Sequence, residues 1–177
     1  MARQSLEERA EKTLRDTDAY RVPVPIHLVA QRLNLTLEAA TLGNKVSGLL
    51  VVQGDRARIG YNAAHARVRQ RFTISHEIAH YLLHTKKIDK AQLFIDKEMT
   101  FRRDEKSSAG VEPEEVEANH LGAALLMPRT LLREEIREQD LDLDDGEVIE
   151  LLAKRFQVST AAVTNRLANL KMLIWAS

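Results

Sequence analysis

The chain has 177 residues, enough for one ordinary domain with a sizeable core, or for one domain and a small appendage. Lys plus Arg and Asp plus Glu stand equal at 26 each, so no overall field draws it to nucleic acid or to an anionic membrane. Hydrophobic residues at 44% and charged residues at 29% give the balance of a folded globular protein, and the lack of Cys excludes disulfides and thiolate metal ligands, which leaves His and carboxylate.

The start, Met1 to Lys12, is too charged for a signal peptide, and no apolar run approaches the ~18 residues of a membrane span, so a cytoplasmic protein is expected. Leu6, Ala10 and Leu14 recur at helical spacing and predict a surface helix over residues 5 to 20. Val22-Pro23-Val24-Pro25 ends it, because each proline fixes its own φ and pushes the preceding residue out of the α region. A short helix resumes at Ile26, and Leu35 to Ala39 reads as a strand. Val46 to Val52 and Ala57 to Tyr61 are β-rich runs around Gln53-Gly54-Asp55-Arg56, which predicts a hairpin. Asn62 begins the exit into a helix through Ala63, Ala64 and Val68. Arg67, Arg69 and Arg71 either bind an acidic segment or form a solvated face with salt-bridge partners, the commoner case.

His76-Glu77-Ile78-Ala79-His80 follows. Two imidazoles four residues apart lie on one side of a helix, one turn above the other, so both can reach a single ion. Glu77 points about a quarter-turn away, where a carboxylate can take a proton from water whose pKa a bound metal has lowered to about 7. The competing reading is a chance pattern on an ordinary amphipathic helix. Phe72, Ile78, Ala79, Leu82 and Leu83 beside the His stripe predict a central helix. Ala91 to Asp96 and Met99 to Phe101 suggest an edge strand, and Arg102 to Gly110 a charged loop of the kind that gates a cleft.

A catalytic zinc site keeps three protein ligands and an open position. One arrangement continues the motif with Gly and His, but those offsets carry Leu83 and Lys86 here. The other takes a Glu from a later helix, and Glu112 to Pro128 supplies one, with a proline near its start and acidic residues in its first turn. Glu117 shares a face with Leu121, Ala124 and Leu125, so its carboxylate is predicted to point inward, and it is taken as the third ligand, with Glu114 and His120 as substitutes. His84 lies about 12 Å along the axis from His76, too far for the same ion, and serves either to orient a ligand or simply to meet the helix dipole. Tyr61 and Tyr81 are either donors to an oxyanion or core residues, and neither is assigned.

The run Arg71 to His84, followed by Glu117-Ala118-Asn119 and Ala123-Ala124-Leu125-Leu126-Met127-Pro128, resembles the ImmA/IrrE family of metallo-endopeptidases, and softer matches extend the likeness from about Pro23 to the C-terminal region. The resemblance implies a thermolysin-like zincin core in which His76, His80 and Glu117 bind Zn2+, with Mn2+ as the alternative ion, and Glu77 is the general base. It implies as substrate a helix-turn-helix transcriptional repressor, cut once so that silenced genes are released during DNA damage or mobile-element induction. Larger relatives carry a sensor domain after the peptidase, for which this chain is too short.

Leu132 to Asp145 is strongly acidic and reads as an exposed connector. Val148 to Phe156 and Thr160 to Leu170 read as two helices joined through Gln157-Val158-Ser159, in which Gln157 stands where helix-turn-helix units usually carry Gly. Asn165, Arg166 and Asn169 are the candidate base readers, but little phosphate-binding charge accompanies them, so docking on the peptidase or on the repressor is favoured over DNA. Trp175 is read as an anchor. The expected whole is an α+β chain: a mostly helical peptidase core with a small antiparallel β-sheet over residues 1–130, and a helix-turn-helix-like subdomain over 131–177. The alternative function is a DNA-binding or repressor-sequestering regulator with a structural metal.

Overall fold

The computed structural model describes residues 3–43, 46–85, 92–97, 113–138 and 146–172. Residues 139–145 of the expected connector, the loop at 102–110, the strand residues Met99 to Phe101 and the anchor Trp175 lie outside them. Among the described residues, seven helices and four strands follow in the order α1 (Arg3–Asp16), α2 (Ile26–Arg32), β1 (Leu35–Ala40), β2 (Val46–Gln53), β3 (Arg56–Asn62), α3 (Arg67–His84), β4 (Gln92–Lys97), α4 (Pro113–Leu126), α5 (Arg129–Glu138), α6 (Gly146–Phe156) and α7 (Thr160–Asn169). This is the α+β, mostly helical architecture that the sequence patterns imply. No helix among the described residues is long and apolar enough to cross a membrane.

The sheet order is β1-β3-β2-β4. β2 and β3 form the expected hairpin, with Leu50 opposite Ile59, and the chain turns at Gly54, whose φ of +60° suits the first position of a two-residue hairpin turn. β4 pairs antiparallel with the other side of β2. One expectation is corrected: the sheet is mixed, because β1 joins the far side of β3 and runs parallel to it, Leu37 opposite Ile59. An alternating pattern fixes which face of a strand is buried but not which neighbour it pairs with, so the hairpin is visible in the sequence and the position of β1 is not.

Helix α3 starts later than expected. Asn62 ends β3 by donating to Leu42 O at 2.7 Å and Val46 O at 3.1 Å and by accepting from the Ala64 amide at 3.1 Å, an Asx-type turn that keeps residues 63 to 66 out of the helix. From Arg67 onward α3 runs between the sheet and α4. Gly48 on β2 lies against Thr73 and Glu77, and Gly122 on α4 lies so close that a Cβ there would stand 3.2 Å from the His76 backbone. Ile74, Ile78 and Ala79 are fully buried, so the motif helix is central.

Arg71 departs from the solvated-face reading. It is 8% exposed and donates to Val24 O at 2.9 Å and to Gln157 O at 3.1 Å, fastening the turn after α6 to the segment before α2. Burial pushes its pKa down from the usual arginine value, as does the nearby Arg67 charge. Arg166, a candidate base reader, is also buried: it donates to Met127 O at 3.0 Å and forms a two-pronged ion pair with Glu7 at 2.7 and 2.6 Å. One hydrophobic cluster accordingly runs from Leu6 through Leu125 and Phe156 to Leu167. Helix α5 takes in residues 132 to 138 of the expected connector, and its Leu132 is fully buried.

The turn between α6 and α7 holds a left-handed residue at Gln157, the position where helix-turn-helix units usually carry Gly. Gln157 has φ +53°, the left-handed conformation that glycine adopts without cost, and Ser159 caps α7 by accepting from the Ala162 amide at 3.1 Å. A left-handed non-glycine residue costs about 1–2 kcal/mol, partly offset because glycine loses more freedom on folding. Gln157→Gly is therefore expected to stabilise the protein by about 0.5 kcal/mol and raise Tm by about 1–2 °C in a thermal melt. A lowered Tm would show that the Gln side chain contributes packing that outweighs the strain.

Candidate metal centre

The spacing of His76 and His80 on α3 sets their rings one turn apart and edge to face, centroids 4.6 Å apart at an interplanar angle of 75°, and the two Nε2 atoms converge to 3.0 Å. The carboxylate of Glu115, from the first turn of α4, closes the group: its oxygens lie 3.4 Å from His76 Nε2 and 3.2 Å from His80 Nε2. Tetrahedral ligands about 2.1 Å from an ion stand about 3.4 Å from one another, so three edges of 3.0 to 3.4 Å match the spacing of a metal's ligand set. Two imidazoles and a carboxylate, with no thiolate, suit zinc or a similar divalent ion.

The third member corrects the sequence reading. Glu115, not Glu117, faces the imidazoles, and Glu117 is outside the group that could hold an ion. Residues 115, 119, 122 and 126 share one face of α4, and the close approach of Gly122 to His76 shows that this face addresses α3. Glu117 lies about 200° round the helix from Glu115. Its stripe contains the buried Leu121 and Ala124, and α4 packs on α1 as well as α3, so being inward did not identify the right side. Glu114 is exposed, and its carbonyl accepts from His84 Nε2 at 3.2 Å; His120 lines a cavity with Asn165 and Asn169 of α7. His84 is therefore a brace between the end of α3 and the start of α4. Tyr61 and Tyr81 are partly buried against the hydrophobic core.

Glu77 is fully buried, and its Oε1 lies where a Cβ on Gly48 would come within 3.1 Å. The missing side chain at Gly48 is what admits both Glu77 and Thr73 against the sheet. Phe72 lies beside the centre, its ring 6.3 Å from that of His76 at an interplanar angle of 30°.

A family model described as Peptidase_M78, IrrE N-terminal-like domain, matches residues 26–168. The chain belongs to the Peptidase_M78 family. No curated protein matches it. The matched span runs from the first residue of α2 to the last turn of α7, so the Peptidase_M78 unit includes the C-terminal helix pair as well as the His-Glu-His helix. Membership supports a peptidase of the IrrE/ImmA type, and among the described residues His76, His80 and Glu115 form a group that could hold a metal ion.

Burial drives the pKa of His80 down to about 4, with the His76 charge acting in the same direction and Glu115 opposing it. A hydrogen bond from His76 holds Glu115 below the ordinary carboxylate range, against the effect of its own burial. Both groups are thus in the ligating form at neutral pH. The unfolded chain protonates His80 near 6.5 while the native metal-free protein does so near 4, so the stabilisation is complete above pH 6.5 and is lost as pH falls to 4. The loss is of the order of 3 kcal/mol, and Glu115 adds to it at lower pH. Melts of chelator-treated protein are expected to show Tm falling through this window, with a flatter slope in His80→Asn.

Proposed function

We propose that the protein is a zinc-dependent endopeptidase that cuts a helix-turn-helix transcriptional repressor in the cytoplasm and so releases genes silenced until DNA damage or mobile-element induction. The observation that carries the hydrolytic part is the convergence of His76 Nε2, His80 Nε2 and the Glu115 carboxylate, with the fully buried Glu77 next to His76 on the same helix. His76, His80 and Glu115 would hold the ion, which when bound polarises a carbonyl and acidifies water. Glu77 accepts the proton of the attacking water and hands it to the departing amine, so one carboxylate acts first as base and then as acid. The rigid α3 scaffold fixes that carboxylate relative to the imidazoles. The repressor as substrate is supported by the family to which the chain belongs.

The test is incubation of the zinc-loaded protein with the repressor encoded nearest its gene, followed by intact-mass spectrometry. Two fragments whose masses sum to the repressor plus one water are expected. An intact repressor, with one zinc bound per chain, would remove this substrate assignment.

The competing regulator reading draws on the two C-terminal helices and the left-handed residue Gln157 between them. Against it, Arg166 is committed to Glu7 and Met127, so α7 offers Asn165 and Asn169 without the cation that would accompany them. Salt-dependent duplex binding that disappears on deletion of residues 146–177 would favour that reading.

A further inference from the structure

A cavity of about 240 Å³ opens beside the triad, between α3, α4 and the turn that joins α6 to α7. Val68 and Phe72 wall it from α3, Val158 and Ala162 wall it from the C-terminal pair, and His76 lies in its lining. Because the Phe72 ring lies alongside that of His76, the cavity and the triad share a wall. A substrate whose reacting carbonyl sits at the triad therefore places a neighbouring side chain in this space.

Size and chemistry restrict that side chain. An engineered apolar cavity of about 150 Å³ accepts benzene, and pockets for drug-sized ligands begin near 300 Å³, so the present volume suits one branched aliphatic or phenyl group. Arg69, also in the lining, donates to Ser47 Oγ at 3.0 Å and would repel a lysine or arginine. Most of the accessible lining is apolar, with Val68, Phe72, Val158 and Ala162 among its walls, so an aliphatic or phenyl group is favoured over a hydrated carboxylate even with Arg69 nearby.

The outer wall is firmly held. Phe156 is fully buried in the core, Arg71 grips the Gln157 carbonyl, and the Ser159 cap fixes the first turn of α7 that carries Ala162. We propose that the α6–α7 turn acts as the wall of a substrate pocket that selects an apolar residue next to the scissile bond. This rests on the hydrolase reading above.

The experiment is digestion of a proteome-derived peptide library by the zinc-loaded full chain, with cut sites assigned by mass spectrometry. Wild type is expected to enrich Leu, Ile, Met or Phe roughly tenfold at one residue flanking the cut and to deplete Lys and Arg there. Ala162→Phe should move that preference to Gly and Ala, and Val68→Ala should move it toward Phe and Trp. If Ala162→Phe does not fold, Val68→Ala decides. Cleavage with no such preference, or with a preference that the folded variants leave unchanged, overturns the pocket and leaves the hydrolase standing. Failure of zinc-loaded wild type to cut any peptide overturns the hydrolase reading, and the pocket falls with it.

Discussion

Glu115→Gln is expected to weaken zinc binding at least ~100-fold, whereas Glu117→Gln leaves it within about threefold of wild type, as read by competition against a chromogenic chelator. Loss of a partner one shell removed from a metal already costs about 10–100-fold in affinity, and loss of a direct ligand should cost more. The geometry makes the comparison sharp. The two glutamates sit on one helix two residues apart, so they share local propensity and end-of-helix electrostatics and differ in the direction they point. Glu115 oxygens lie within 3.4 Å of both imidazoles, and its side chain is 32% exposed, so a neutral amide of the same shape there should not unfold the chain. If Glu117→Gln strips the metal while Glu115→Gln keeps it, the triad described here is not the binding site.

The contrast between these residues marks where sequence reasoning stops. The His76 and His80 pair was legible because it depends on helical periodicity within one element. The partner across the gap depends on how α4 is rotated against α3, and a helix buried against two neighbours has two inward stripes of similar composition. The signal that distinguishes them was present. Gly122, seven residues after Glu115, marks the face where α4 comes within contact of the α3 backbone, and the same face carries Glu115. Gly48 is a parallel case: nothing in a strand pattern says that its bare Cα faces Glu77. The arginines were misread for a related reason. Arg71 and Arg166 look like surface charges in a linear pattern, yet long side chains can reach carbonyls or a carboxylate contributed by segments up to 159 residues away. Those contacts pack the C-terminal helices on the rest of the chain, one of the two roles that the sparse phosphate-binding charge favoured over DNA, but the partner groups themselves are not visible in a linear pattern.

Glu77→Gln is expected to lower kcat about 10²–10⁴-fold or more on a cleavable peptide or repressor, with zinc stoichiometry and the thermal melt of the folded protein preserved. The substitution keeps shape and removes the capacity to accept a proton. It does not touch the ion-holding group, because Glu77 points along a different direction of α3 from His76 and His80 and rests against Gly48 and Thr73. The amide keeps the shape of the fully buried side chain, so Tm should stay close to that of the wild type. Loss of activity with retention of stability is the signature of a group kept for chemistry. A merely structural glutamate would give the reverse, a lowered Tm with turnover intact in whatever remains folded. Cleavage at the wild-type rate by zinc-loaded Glu77→Gln would mean that the proton goes elsewhere. Glu115 could not take that role while holding the ion, and among the described residues the His76, His80 and Glu115 group contains no other acid.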